Sequence, residues 1–149
     1  MVKGTLNVKM TLSPSFNARY YGKIGRTTEL KKELTFDYCD GVNFPKHGVK
    51  FSFESDSLNI TRGCLEKAKV EVEVSRYFFE HIGEDTNYCY TLFCIDSKVV
   101  EVFFYINEKF EIDGGLQVSI WHSYADFESD EEADEIINVE EKEIKKIFS

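Results

Sequence analysis

Apolar and polar residues alternate with a period of two along most of the chain. That period belongs to strands with one buried face and not to helices. Leu6, Val8, Met10 and Leu12 alternate with Thr5, Asn7, Lys9 and Thr11. Pro14 ends this run, and residues 13–27, polar and carrying Gly22 and Gly25, read as a loop. Leu34, Phe36 and Tyr38 alternate next, from a start near Thr28, up to a turn at Asp40-Gly41 that Pro45 and Gly48 extend. Val49, Phe51 and Phe53 form a third strand. Ala68, Val70, Val72 and Val74 alternate with Lys67, Lys69, Glu71 and Glu73. A helix there would carry apolar residues all round, so a strand with one charged face is expected. Tyr88 to Ile95 and Val99 to Ile106 are apolar on both faces, the pattern of strands central in a sheet. Asp96-Ser97-Lys98 joins them as a hairpin, and Asp113-Gly114-Gly115 turns the chain into Leu116, Val118 and Ile120.

These are seven or eight short strands, with no useful helical pattern before residue 130. They predict an all-β fold, an antiparallel two-layer β-sandwich over residues 1–125. A sandwich is preferred to a barrel because several strands have a polar outer face. The C-terminal end differs. Ile137, Ile144 and Phe148 recur at helical spacing, with Ile136 and Ile147 beside them, acids in front and lysines behind. That order suits a helix macrodipole. Residues 126–149 therefore read as an acidic linker followed by a short C-terminal helix, or as a disordered acidic tail.

Charge sharpens the picture. Of the net −9, residues 126–149 carry −7, with ten acids against three lysines. Phosphate backbones repel such a segment and the body has no basic stripe, so neither nucleic acid nor an anionic membrane is an expected partner. No apolar run approaches the ~20 residues that span a bilayer. Residues 1–4 carry no apolar leader-like stretch, so no signal peptide is expected, and Cys39, Cys64, Cys89 and Cys94 make neither CxxC nor a zinc spacing. Reduced thiols in a cytoplasmic or nuclear protein are the expectation. Cys89 and Cys94, five apart in a strand, should face opposite ways.

Chemistry is hard to place. GxSxG, HExxH, P-loop and GxGxxG motifs are missing, and His47, His81 and His122 are scattered. No catalytic residue, metal or cofactor is assigned. Binding is easier to place. Arg76-Tyr77-Phe78-Phe79-Glu80-His81 closes a strand and enters a loop. Aromatic and arginine side chains are the usual anchors of protein interfaces. Arg76, Phe78, Phe79 and His81 are candidate protein-binding residues on that ground, beside a core role. Trp121, next to His122 and Tyr124, is another. Ile136-Ile137-Asn138-Val139, flanked by acids, resembles a SUMO-interacting motif, in which a β-branched segment adds a strand to a sheet edge. Ile136, Ile137 and Val139 would anchor a SUMO-like partner. This competes with the helix over the same residues. Ser129, ahead of Asp130-Glu131-Glu132, resembles an acidophilic kinase site.

Four pieces carry a wider likeness. They are Val49-Lys50-Phe51-Ser52-Phe53, Glu84-Asp85-Thr86-Asn87-Tyr88-Cys89-Tyr90, Glu101-Val102-Phe103-Phe104-Tyr105-Ile106 and Leu116-Gln117-Val118-Ser119-Ile120. In this order they resemble the poxvirus host-range family typified by the vaccinia host-range protein, over about half of the chain. The resemblance implies a cytosolic, non-enzymatic β-sandwich that acts in immune evasion. Such proteins bind and antagonise an interferon-induced host restriction factor, an antiviral protein with a sterile-alpha-motif domain. The acidic tail has no counterpart in it. Tyr105-Ile106-Asn107-Glu108-Lys109-Phe110 followed by Asp113-Gly114-Gly115 is also similar to the closing hairpin of starch- and glycogen-binding modules. That implies, as the alternative, a carbohydrate-binding β-sandwich with Phe110 against the sugar. The Trp-Asp-Asn-Asn run of those modules is missing here.

Overall fold

The computed structural model describes residues 2–14, 25–36, 44–59, 66–80 and 87–148. Nine strands among them form two antiparallel sheets. These are β1 (Val2–Thr11), β2 (Thr27–Phe36), β3 (Gly48–Ser55), β4 (Ala68–Val74), β5 (Tyr88–Ile95), β6 (Lys98–Ile106), β7 (Ile112–Trp121), β8 (Glu135–Val139) and β9 (Lys145–Ile147). The first sheet runs β2-β1-β4-β3-β9 and the second β5-β6-β7-β8. The chain is an all-β sandwich, as alternation predicts.

Alternation also sets the register. Leu6, Val8 and Met10 of β1, Phe51 and Phe53 of β3, and Val70, Val72 and Val74 of β4 face the second sheet. There they meet Phe93, Val100, Val102, Phe104, Leu116, Val118 and Ile120 in one core. The outer face of the first sheet is charged and ordered by opposite signs. Lys9 lies opposite both Glu29 and Glu71, and Lys50 opposite Glu73. Such cross-strand pairs suit a face that water wets.

The expectation for the C-terminal end is corrected. The helix lies in the stretch read as linker: α1 spans Tyr124–Glu128, capped by Ser123, whose Oγ accepts from the Asp126 N–H at 3.1 Å. The stretch read as helix or tail is instead β8, a short 3-10 turn at Glu141–Glu143, and β9. β8 pairs with β7 and β9 with β3, so both sheets are completed by this segment. The physical reason is that β7 offers a free edge and residues 135–139 also fit period two. Ile137 packs on the core and Val139 is 6% exposed, while Ile136 points out. Tertiary pairing outweighs a spacing that both structures could satisfy.

Glu135 ties the layers together. Its carboxylate accepts from Ser55 Oγ at 2.5 Å, Ser57 N at 3.1 Å and Asp56 N at 3.2 Å, all at the end of β3. Partial burial pushes the Glu135 carboxyl up, but these hydrogen bonds outweigh it and hold the group below the usual carboxylate range. A lowered folded-state value means stability that is present above the unfolded value and lost as pH falls through the folded one. Glu135→Gln is expected to cost about 1 kcal/mol at pH 7, a figure already reduced for solvent screening. The gap to wild type should close below about pH 4, read from urea melts across pH. A gap that widens on acidification would contradict this.

Candidate functional site

The residues singled out between 76 and 81 do not form an exposed cluster. Arg76–Phe78 is a 3-10 turn packed on β1, where Gly4 leaves room: a Cβ at Gly4 would lie 2.6 Å from the Tyr77 carbonyl. Phe78 and Phe79 are buried in the core, and Phe79 meets Phe104 edge-on at 5.0 Å. Their rings are not presented to a partner, which corrects the expectation of exposed anchors. Arg76 lies over the Tyr77 ring at 4.8 Å. His81 lies outside the described residues, as do Cys39 and Cys64. Trp121 is half-buried; its Nε1 donates to the Glu131 carbonyl at 2.9 Å and its ring meets Phe127 at 5.1 Å. It pins α1 and the residues after it to the outer side of the second sheet. In the tail motif Ile137 and Val139 are held by the core, which leaves Ile136 exposed, at 55%. A linear-motif partner would have to pull two of three anchors out of the sandwich.

What the structure brings together lies elsewhere, on the outer face of the second sheet. The β5–β6 register sets Tyr88 opposite Tyr105 and Tyr90 opposite Phe103. The residues between them, Cys89, Thr91, Val102 and Phe104, take the buried side. The outward rings touch one another: Tyr88 stacks on Phe103 at 5.2 Å and Phe103 meets Tyr105 edge-on at 5.1 Å. Tyr105 is 53% exposed and Tyr88 38%. The first sheet carries lysine and glutamate in the equivalent place. Beside the rings runs a groove of about 360 Å³ lined by Phe103, Tyr105, Gly115, Gln117, Asn138 and Glu140. Gly115 has to be glycine, because a Cβ there would lie 2.3 Å from the Val139 carbonyl of β8.

Acids frame these rings. Glu101, two residues from Phe103 on the same face, sits opposite Leu92 and Ser119. It is half-buried, and burial pushes its carboxyl above the usual range. The Tyr90 hydroxyl is also pushed up, first by burial, then by the charges of Glu80, Tyr88 and Glu101. At one end of the face α1 and its exit carry Asp126, Glu128, Asp130, Glu131 and Glu132, and at the groove end stands Glu140.

Reactive groups are not gathered in the same way. Cys89 is buried, and burial pushes its thiol far above neutrality, which keeps it protonated and un-nucleophilic. Cys94 is exposed on the opposite side of the strand, as spacing predicts. His47 is fully buried, bonded through Nδ1 to the Gly48 carbonyl at 2.8 Å, with Nε2 accepting from Ile112 N at 3.5 Å. Those bonds make it a link between β3 and β7. Among the described residues, no group of three or more His, Cys, Asp or Glu could hold a metal, and no helix is long and apolar enough to cross a membrane. No family model, curated protein or solved structure matches this chain.

The aromatic face escaped sequence reasoning because strands apolar on both faces read as central ones. Its signal was the kind of residue: tyrosine, which tolerates a wet edge, stands at the outward positions 88, 90 and 105, while valine fills inward 100 and 102.

Proposed function

We propose that this chain is a non-catalytic binding module whose working surface is the outer face of the second sheet, and that its partner is a protein. The carrying observation is the ring cluster of Tyr88, Tyr90, Phe103 and Tyr105 on the outer face of the sheet, with Tyr88 and Tyr105 exposed. Rings on strands suit this work, since they bury much area and lose little rotamer freedom. An exposed apolar patch of this kind marks an interaction site more often than it serves stability.

Three of the four pieces that resemble the poxvirus host-range family contribute to β5, β6 and β7, the strands of this face. In that reading the partner is an interferon-induced host restriction factor with a sterile-alpha-motif domain, and the function is immune evasion in the host-cell cytoplasm. The sugar-binding alternative is supported less. Tyr88 and Phe103 stack on one another, so each ring already has one face taken. Phe110 is packed against the core.

The test is hydrogen exchange on the chain with and without a recombinant host factor of that class. Slowed exchange across β5 and β6 is the expected result. Slowing confined to residues 76–79 or to the first sheet would overturn the proposal. Affinity electrophoresis in glycogen is expected to leave mobility unchanged; retardation would favour the sugar reading.

A further inference from the structure

Given that reading of the face as a binding surface, we infer that it receives a cation: an arginine or lysine of a basic protein segment, seated at Glu101 and against the rings of Phe103 and Tyr90. Three observations converge on this. The first is Glu101 itself. Its carboxylate forms no hydrogen bond or ion pair among the described residues, though it is half-buried on the sheet. An unpaired, partly desolvated charge lowers stability, and burial alone, with nothing to offset it, sets its protonation. A half-buried carboxylate with no partner among the described residues is placed to take one from outside.

The second observation is the surroundings. Phe103 is two residues from Glu101 on the same strand and face, and Tyr90 lies opposite Phe103. Aromatic faces and edges beside a carboxylate suit a guanidinium or ammonium, which gains from the ring quadrupole and the charge together. The third is the frame. Asp126, Glu128 and Asp130 stand at one end and Glu140, paired with Lys142 at 3.2 Å, at the other; the lining of the groove itself carries acid and no base, so the face is complementary to a basic surface. The same acids repel a nucleic acid, which removes the other aromatic-stacking ligand.

The probe is a synthetic peptide alternating arginine with glycine, compared with its glutamate and glutamine counterparts. Amide shifts in a ¹⁵N-labelled chain report where each binds. The arginine peptide is expected to move Leu92, Glu101, Phe103 and Ser119. Glu101→Gln should weaken it about tenfold, while Asp126→Asn should weaken it no more than about twofold. The same Glu101→Gln variant is expected to melt at or above the wild-type temperature at pH 7, since it removes an unpaired charge. Four results would overturn the inference: no shifts, shifts confined to residues 126–143 and insensitive to Glu101→Gln, equal binding of the glutamate peptide, or a lower melting temperature for Glu101→Gln. If the host factor binds through the aromatic rings with no dependence on Glu101, the cation assignment falls and the binding face stands. If the rings do not matter either, both fall.

Discussion

Phe79→Ala is expected to lower the unfolding free energy by about 3–5 kcal/mol. The ring is 2% exposed and packs edge-on against Phe104, itself buried at the centre of β6. Removing it leaves a ring-sized void between the first strands of the second sheet and the turn that follows β4. The neighbours cannot collapse into it. Gly4 already lies in contact with that turn, and β5 is tied to it by the hydrogen bond from Glu80 N to the Tyr90 carbonyl at 2.9 Å. Aromatic pairing adds about 0.5–1.5 kcal/mol to what area alone implies. A domain of ordinary stability, about 5–15 kcal/mol, loses a large part of it. Urea unfolding followed by circular dichroism measures this directly, and a loss under about 1 kcal/mol would show that Phe79 is not a core residue. The prediction also bears on function. Lost binding in a Phe79→Ala variant would report unfolding, so residues 78 and 79 are unsuitable probes of an interface.

The strands of the sandwich body were legible in the residues because alternation is a local property. Val70, Val72 and Val74 against Lys69, Glu71 and Glu73 specify a strand wherever its neighbours lie. Residues 135–148 were not legible for the opposite reason. Ile136, Ile137, Ile144 and Ile147 satisfy helical spacing about as well as period two, and what decides between them is the free edge of β7, which lies in another part of the chain. The acids there, which look like a helix front, include Glu135, whose carboxylate reaches the end of β3. Site residues failed along the same line. Arg76 to Phe79 read as anchors because they close a strand and enter a loop, yet the turn folds the two phenylalanines inward. Both β5 and β6 read as central because both their faces are apolar; β6 is central, between β5 and β7, but no strand order can be read locally, and β5 stands at the sheet's edge. Whether an apolar face is covered depends on layers, and the pattern within one strand does not contain that.

The second large effect concerns this uncovered face. Tyr88→Ala combined with Tyr105→Ala is expected to weaken host-factor binding by about 30-fold to 1,000-fold, the range for losing one or two aromatic hot spots. The fold should survive, because both rings are partly in water and neither fills the core. The melting temperature should move by no more than about 8 °C, the cost of partial burial and the ring contact with Phe103. Lys9→Ala combined with Lys50→Ala on the charged face of the first sheet is the control, and it should leave affinity within about twofold.

Calorimetric titration of the same recombinant factor with these two double variants therefore tests the central claim most directly. Binding lost with the tyrosines and kept with the lysines is the expected result. Undiminished binding by the Tyr88/Tyr105 variant, or loss confined to the Lys9/Lys50 variant, would place the working surface on the other layer and contradict it.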